Sequence, residues 1–195
     1  MKKQINYYEK LRRKFFSKRE IVGWGSRNSQ EMRFKVLEEI LKKYNCKTVL
    51  DIGCGRGDLI SYLKKKKISI RYTGLDINDK FIDIAKKLNP KNNFIFDDFL
   101  KKDLSNFDVI FISGLFNLKM QNHKKWMKLF IDKAIKKTKK ILIFNCLSNK
   151  APQRKKKFFY INPKNVISDF VGNNKKFIID HSYADHDVSF IIFKW

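Results

Sequence analysis

Ten residues constrain this chain more than any others: Val49-Leu50-Asp51-Ile52-Gly53-Cys54-Gly55-Arg56-Gly57-Asp58. An apolar run passes into a turn of alternating glycines and then into a helix start. Thr48–Ile52 has the β-branched, apolar composition of a strand buried on both faces. Gly53, Gly55 and Gly57 let the backbone turn sharply and let a ligand come close without meeting a Cβ. Asp58 is placed to cap a helix over Leu59–Lys66.

The glycine spacing separates two ligand classes. A dinucleotide fingerprint needs glycines at its first, third and sixth positions; counted from Gly53 the sixth is Asp58, an acid that would face a pyrophosphate. The pattern present is D-x-G-x-G-x-G, with Asp51 at the strand end. A tight strand-to-helix turn without a ligand remains the alternative on these residues alone. The next strand, Ile70–Leu75, runs into Asp76, 19 positions beyond Gly57. An acid at that tip is placed to accept hydrogen bonds from two ribose hydroxyls. A helix over Asn78–Leu88 is stopped by Asn89-Pro90, and a third strand, Asn93–Phe96, leads into Asp97-Asp98-Phe99.

Towards the N-terminus, Tyr7–Phe16 reads as a basic helix, followed by a loop in which Gly23 and Gly25 flank Trp24. Ser29 is a plausible N-cap for an amphipathic helix over Gln30–Tyr44, in which Phe34, Leu37, Ile40 and Leu41 recur at helical spacing. The expected division is therefore a helix and lid segment over 1–28 and one domain over 29–195. Beyond the third strand come a fourth, Phe107–Ile112, exiting through Ser113 to Asn117, a helix over Lys124–Lys137 and a fifth strand, Ile141–Phe144. Lys150–Lys157, containing Pro152, is the least regular stretch and a candidate mobile loop near the active face. Asn162-Pro163 opens a last helix through Val171, ending at Gly172. Phe177–Asp180 and Val188–Phe193 form a closing strand pair joined by a His181–Asp187 turn. Strands alternating with helices in this way argue a doubly wound α/β sheet.

Composition narrows the class. With 43% hydrophobic and 32% charged residues over 195 positions, the chain is one globular domain. No apolar run reaches the roughly 18 residues of a membrane span, and the Lys-rich N-terminus lacks the apolar core of a signal peptide, so a cytoplasmic location is expected. Cys46, Cys54 and Cys146 form no C-x-x-C pair and read as reduced thiols. The net charge of +25 suits a nucleic-acid partner, but the shared abundance of Lys, Asn, Ile and Phe also fits A/T-rich codon usage.

The glycine turn of Asp51–Gly57, Asp76 and Asp98, in that order, resembles the class I S-adenosylmethionine-dependent methyltransferases. The resemblance implies a Rossmann-like, mostly parallel seven-stranded sheet with helices on both faces and the last strand antiparallel. It implies S-adenosylmethionine as cofactor, held by Asp51, Gly53, Cys54, Gly55 and Gly57, with Asp76 and Ile77 at the ribose. Asp98 would meet the adenine amino group, Phe99 would stack on the ring, Asp97 would face solvent, and Ser113 would lie at the methionine end. Trp24-Gly25-Ser26 with Gln30 and Arg33 looks like a segment of small bacterial methyltransferases, which makes Trp24, Ser26 and Arg33 lid or substrate candidates together with Asn117. The [DN]-P-P-[YF] pattern of exocyclic base-nitrogen enzymes is absent. Ser113 stands where cation-dependent catechol-type enzymes carry a metal-binding acid, so no metal is expected. His123, His181 and His186 are candidate bases by side-chain type only. Three functions remain open: methylation of a small molecule or glycan, methylation of RNA by way of the basic surface, and noncatalytic cofactor binding.

Overall fold

β1 (Thr48–Ile52) forms the centre of the sheet because both of its faces are apolar. Val49, Leu50 and Ile52 are each 2% exposed or less. A computed structural model describes residues 27–172 and 176–195; the expected helix Tyr7–Phe16 and the lid candidates Trp24 and Ser26 lie outside the described residues. Around β1 the chain lays down α1 (Arg27–Lys43), α2 (Asp58–Lys65), β2 (Arg71–Asp76), α3 (Asp79–Leu88), β3 (Asn93–Phe96), β4 (Phe107–Ile112), α4 (His123–Lys137), β5 (Thr138–Ser148), β6 (Tyr160–Ile161), β7 (Lys176–Asp180) and β8 (Asp187–Phe193). The strand order is β3-β2-β1-β4-β5-β8-β7, with β6 pairing β5 to one side. The pairs from β3 to β5 are parallel, and β8 inserts antiparallel between β5 and β7. This is the expected doubly wound sheet with the last strand reversed.

Alternation along the strands divides the core in two. Leu50 and Ile52 of β1 join Ile110, Ile112, Leu142 and Phe144 against Met127, Phe130 and Ile131 of α4. Val49 faces the other way and packs with Val109 and Phe111 against Phe34 and Leu37 of α1, Leu59 and Leu63 of α2 and Ile82 of α3. Helices therefore cover both faces, each burying an apolar stripe.

The structure corrects several expectations. The sheet has eight strands, because β5 continues to Ser148 and pairs Leu147 and Ser148 with the two-residue β6. The helix expected from Asn162-Pro163 is instead a 3-10 turn over Pro163–Asn165 followed by a wider π-type turn over Ile167–Val171. Asn162 does cap it, accepting from the Lys164 N–H at 3.1 Å, and Val166 and Phe170 both reach the core. Ser29 lies inside α1, so it is no N-cap, and the expected boundary at residue 28 falls within the helix. Asp58 is the first residue of α2; the cap is Gly57, in left-handed backbone at φ 74°. No helix among the described residues is long and apolar enough to cross a membrane.

Candidate active site

The turn after β1 is held by β2. Gly53, Gly55 and Gly57 all have positive φ, at 78°, 53° and 74°, backbone that residues with a Cβ rarely adopt. The N–H groups of Gly53 and Cys54 both donate to the Leu75 carbonyl, at 2.8 and 3.1 Å. Asp76, at the tip of β2, braces the same turn: its Oδ2 accepts from the Gly55 N–H and its Oδ1 from the Asn78 N–H, each at 2.9 Å. Asn78 in turn caps α3 through the Lys80 and Phe81 N–H groups. The Cys54 side chain is buried under the turn. A Cβ on Gly74 would stand 2.8 Å from its sulfur and 2.7 Å from the Phe94 ring, so β2 accommodates the turn only with glycine there.

Above this turn opens a cavity of about 270 Å³. Every described cofactor candidate except Gly57 lines it: Asp51, Gly53, Cys54, Gly55, Asp76, Ile77, Asp98, Phe99 and Ser113. Asn117 and Arg33 line it as well. Gly57 lies at the base of the turn, where its missing Cβ leaves room for Phe94 and Asn89. Asp97 is also in the wall, so both acids after β3 reach the cavity, with Asp97 paired to Lys102 at 3.3 Å. Asp98 Oδ1 accepts from the Leu100 N–H at 3.0 Å, which turns the chain away from β3. Phe99 is 2% exposed and packs on Phe130 at 5.2 Å, so it joins the cavity wall to the core.

Sequence reasoning missed the far end of the cavity. Leu115, Leu118, Trp126, Leu147, Phe158 and His186 line it, and they come from the loops after β4 and β5 and from the turn before β8. Asn145 organises this end. It is fully buried, its Oδ1 accepts from the Gly114 N–H at 3.0 Å, and its amide donates to Ser113 Oγ at 3.2 Å. A lone amide inside the apolar run Ile141–Cys146 was the available signal, since a buried amide needs partners. Arg33 does not project freely into the cavity; its guanidinium is paired with Asp187, and both side chains are almost wholly buried. Of the three histidines, His186 alone lines the cavity. Among the described residues no cluster of His, Cys, Asp and Glu could hold a metal ion.

Two groups carry opposite proton linkage. Asp51 is buried, and loss of solvent pushes its carboxyl up to about 7 even though Tyr72 donates to it at 2.7 Å. His123 is buried, and desolvation pushes it down to about 4. It stacks on Phe159 at 3.9 Å and stays neutral at physiological pH. For Asp51 the native state binds its proton more tightly than the unfolded chain, so its contribution grows as pH falls from about 7 towards 3.8. For His123 the unfolded chain binds the proton more tightly, so stability is lost as pH falls from 6.5 towards about 4. The two oppose each other in the same window. Asp51→Asn, which keeps an acceptor for Tyr72, is expected to be more stable than the wild type at pH 8, with that advantage shrinking by roughly 2–3 kcal/mol by pH 5. Urea denaturation of both proteins at pH 5, 6.5 and 8 measures this; a constant difference would mean that Asp51 is ionised throughout.

Comparisons with known proteins agree with this geometry. Residues 49–134 match the family described as Methyltransferase domain. A demethylmenaquinone methyltransferase of Thermotoga maritima is 31% identical over 97 residues, 50% of this chain and 41% of its own length. A tRNA (guanine-N(7)-)-methyltransferase of Clostridium botulinum is 29% identical over 111 residues, 55% of this chain and 50% of its own length. The matches thus span half or less of these curated relatives. The crystal structure of an S-adenosylmethionine-dependent methyltransferase from Clostridium acetobutylicum superimposes with a TM-score of 0.69 at 10% identity, covering 95% of this chain and 98% of that one, which shows the shared fold. The glycine turn and the acid that braces it, the reversed last strand and the family match over 49–134 together support a class I S-adenosylmethionine-dependent methyltransferase.

Proposed function

We propose that this protein transfers a methyl group from S-adenosylmethionine to a flat, weakly polar acceptor bound at the Trp126–Phe158 end of the cavity. The charge of the cavity wall carries the reading. Among the described residues it holds five carboxylates, Asp51, Asp58, Asp76, Asp97 and Asp98, against one guanidinium, Arg33, already paired with Asp187. Such a wall favours a ligand bearing a sulfonium and an ammonium group and opposes one bearing two phosphates. Bound S-adenosylmethionine supplies an activated methyl, which an acceptor lone pair takes while the sulfur keeps the bonding electrons.

The chain's own contribution is positioning and exclusion of water. Asp76 and the glycine turn hold the nucleoside end. Asn145 fixes the Ser113–Gly114 exit of β4 beside the reacting end. Leu115, Leu118 and Leu147 keep that end dry. For an acceptor that must lose a proton, His186 at the far end of the cavity is a residue able to take it. A planar ring suits the aromatic lining better than the sugar of a glycan, which needs more polar partners than this end supplies.

Calorimetric titration with S-adenosylmethionine and, separately, NAD tests the cofactor. Micromolar-range binding of the first with none of the second is the expected result. Binding of NAD, or of neither, would overturn the proposal.

A further inference from the structure

Of the three segments at the far end of the cavity, the loops after β4 and β5 carry charge of one sign only, whereas the turn before β8 holds Asp185 and Asp187. Residues 113–128 and 149–168 contain no Asp or Glu, whereas the second of these stretches contains Lys150 and the run Arg154-Lys155-Lys156-Lys157. A chain-wide lysine bias would raise the basic count everywhere but would not clear acids from these two loops. The structure brings them together. Leu118 pairs with Phe158 in an antiparallel bridge. The Lys119 N–H donates to the Lys157 carbonyl and the Phe159 N–H to the Asn117 carbonyl, at 2.9 and 2.8 Å. The Lys155 N–H is fixed by the Tyr160 hydroxyl at 2.9 Å. An exposed basic turn, 154–157, is thereby anchored to the cavity wall, with Phe158 as the step from one to the other.

The wall beneath that turn suits a nucleobase. Phe158 and Trp126 are half-buried aromatic rings lining the cavity, and every base has a face that stacks on such rings. Two polar atoms of lining residues, the acceptor Asn117 Oδ1 and the donor Trp126 Nε1, are buried without a hydrogen-bond partner among the described residues. A base edge presents donors, so a base stacked on these rings would satisfy Asn117 Oδ1.

Resting on the proposed methyl transfer at this cavity, we infer that its acceptor is a base of an unpaired stretch of nucleic acid, inserted between Phe158 and Trp126 while the 154–157 turn and Lys119 hold the adjoining phosphates. A base still in a duplex cannot reach this depth, so the substrate is a single strand or a flipped nucleotide.

The test is fluorescence anisotropy of the full chain with labelled single-stranded RNA, single-stranded DNA of the same sequence, duplex RNA and polyglutamate, each over a salt series. Single strands are expected to bind, with affinity falling as salt rises, and the RNA and DNA arms tell which strand is preferred. Lys155→Glu/Lys156→Glu should weaken binding at least about tenfold and lower the salt slope by about 1.4, near 0.7 for each phosphate no longer neutralised. Lys86→Glu/Lys87→Glu, the same charge change at the C-terminal end of α3, should cost less than about twofold. Phe158→Leu should weaken binding without changing the slope and abolish the fluorescence change of a 2-aminopurine-bearing strand, whereas Phe158→Tyr should retain both. Equal losses in the two lysine pairs, or polyglutamate bound as tightly as RNA, would overturn the inference in favour of unspecific charge or an acidic protein partner. An unchanged signal in Phe158→Leu would overturn base insertion. Titrating S-adenosylmethionine into the same samples separates the two proposals: cofactor binding without strand binding defeats this one alone, and strand binding without cofactor binding defeats the methyl transfer.

Discussion

Arg33→Met is expected to cost roughly 3–5 kcal/mol of stability, because it strands a buried carboxylate. Arg33 on α1 and Asp187 at the start of β8 are 154 residues apart in sequence and almost completely buried. Asp187 keeps one further partner, the Tyr183 hydroxyl at 2.6 Å, which also contacts Ser189 Oγ at 2.8 Å. Burial, with Asp187 alongside, holds the Tyr183 hydroxyl protonated far above its ordinary range. One hydroxyl cannot replace a guanidinium as partner to a desolvated charge. The double change Arg33→Met/Asp187→Leu removes both charges and is expected to recover most of the loss, since apolar replacement of a whole buried pair is often neutral. Urea denaturation at pH 7 measures both variants. A loss under about 1 kcal/mol in Arg33→Met would mean that water reaches the pair. Because α1 forms one wall of the cavity through Gln30, Arg33 and Phe34, the single variant should also bind cofactor more weakly.

Asp76→Ala is expected to weaken S-adenosylmethionine binding by roughly 4 kcal/mol, about a thousandfold in Kd. The proposed ribose contact supplies two hydrogen bonds to a charged acceptor, each worth about 1.5–3 kcal/mol. The carboxylate also accepts from the Gly55 and Asn78 N–H groups, so its removal loosens the turn that lines the cavity. Asp76→Asn separates the two effects. Its amide oxygen can still accept one hydrogen bond, so the turn is partly held while the charge is gone, and an intermediate loss is expected. Burial pushes the Asp76 carboxyl upward against the N–H groups that hold it down. Calorimetry at pH 7.5 reads all three proteins, and unchanged affinity in Asp76→Ala would show that the ribose lies elsewhere.

Much of this architecture was legible in the chain because its signals are local. The β1 run followed by glycines at 53, 55 and 57 needs no distant contact to be read, and neither does the acid at the end of β2. The structure places Asp51, Asp76 and Asp98 around one cavity, as the sequence order implied. Elements whose form depends on a neighbour were read less well. β5 extends to Ser148 because β6 and β8 pair with its end, and the segment after Pro163 tightens and then widens instead of forming one regular helix. Phe99, expected beside the adenine from the resemblance, lines the cavity and also packs on Phe130, a contact that no local pattern announces.

By itself the sequence determined the fold class, the glycine turn and the acids that line the cavity beside it, since backbone conformation and strand-to-helix order are set by residues a few positions apart. The tertiary structure alone decided the far end of the cavity. Asn145 reaches Gly114 across 31 positions, Arg33 finds Asp187 across 154, and Leu118 meets Phe158 only when two loops close over the sheet. Contacts of that range depend on which strands become neighbours, and periodicity along the chain does not encode them.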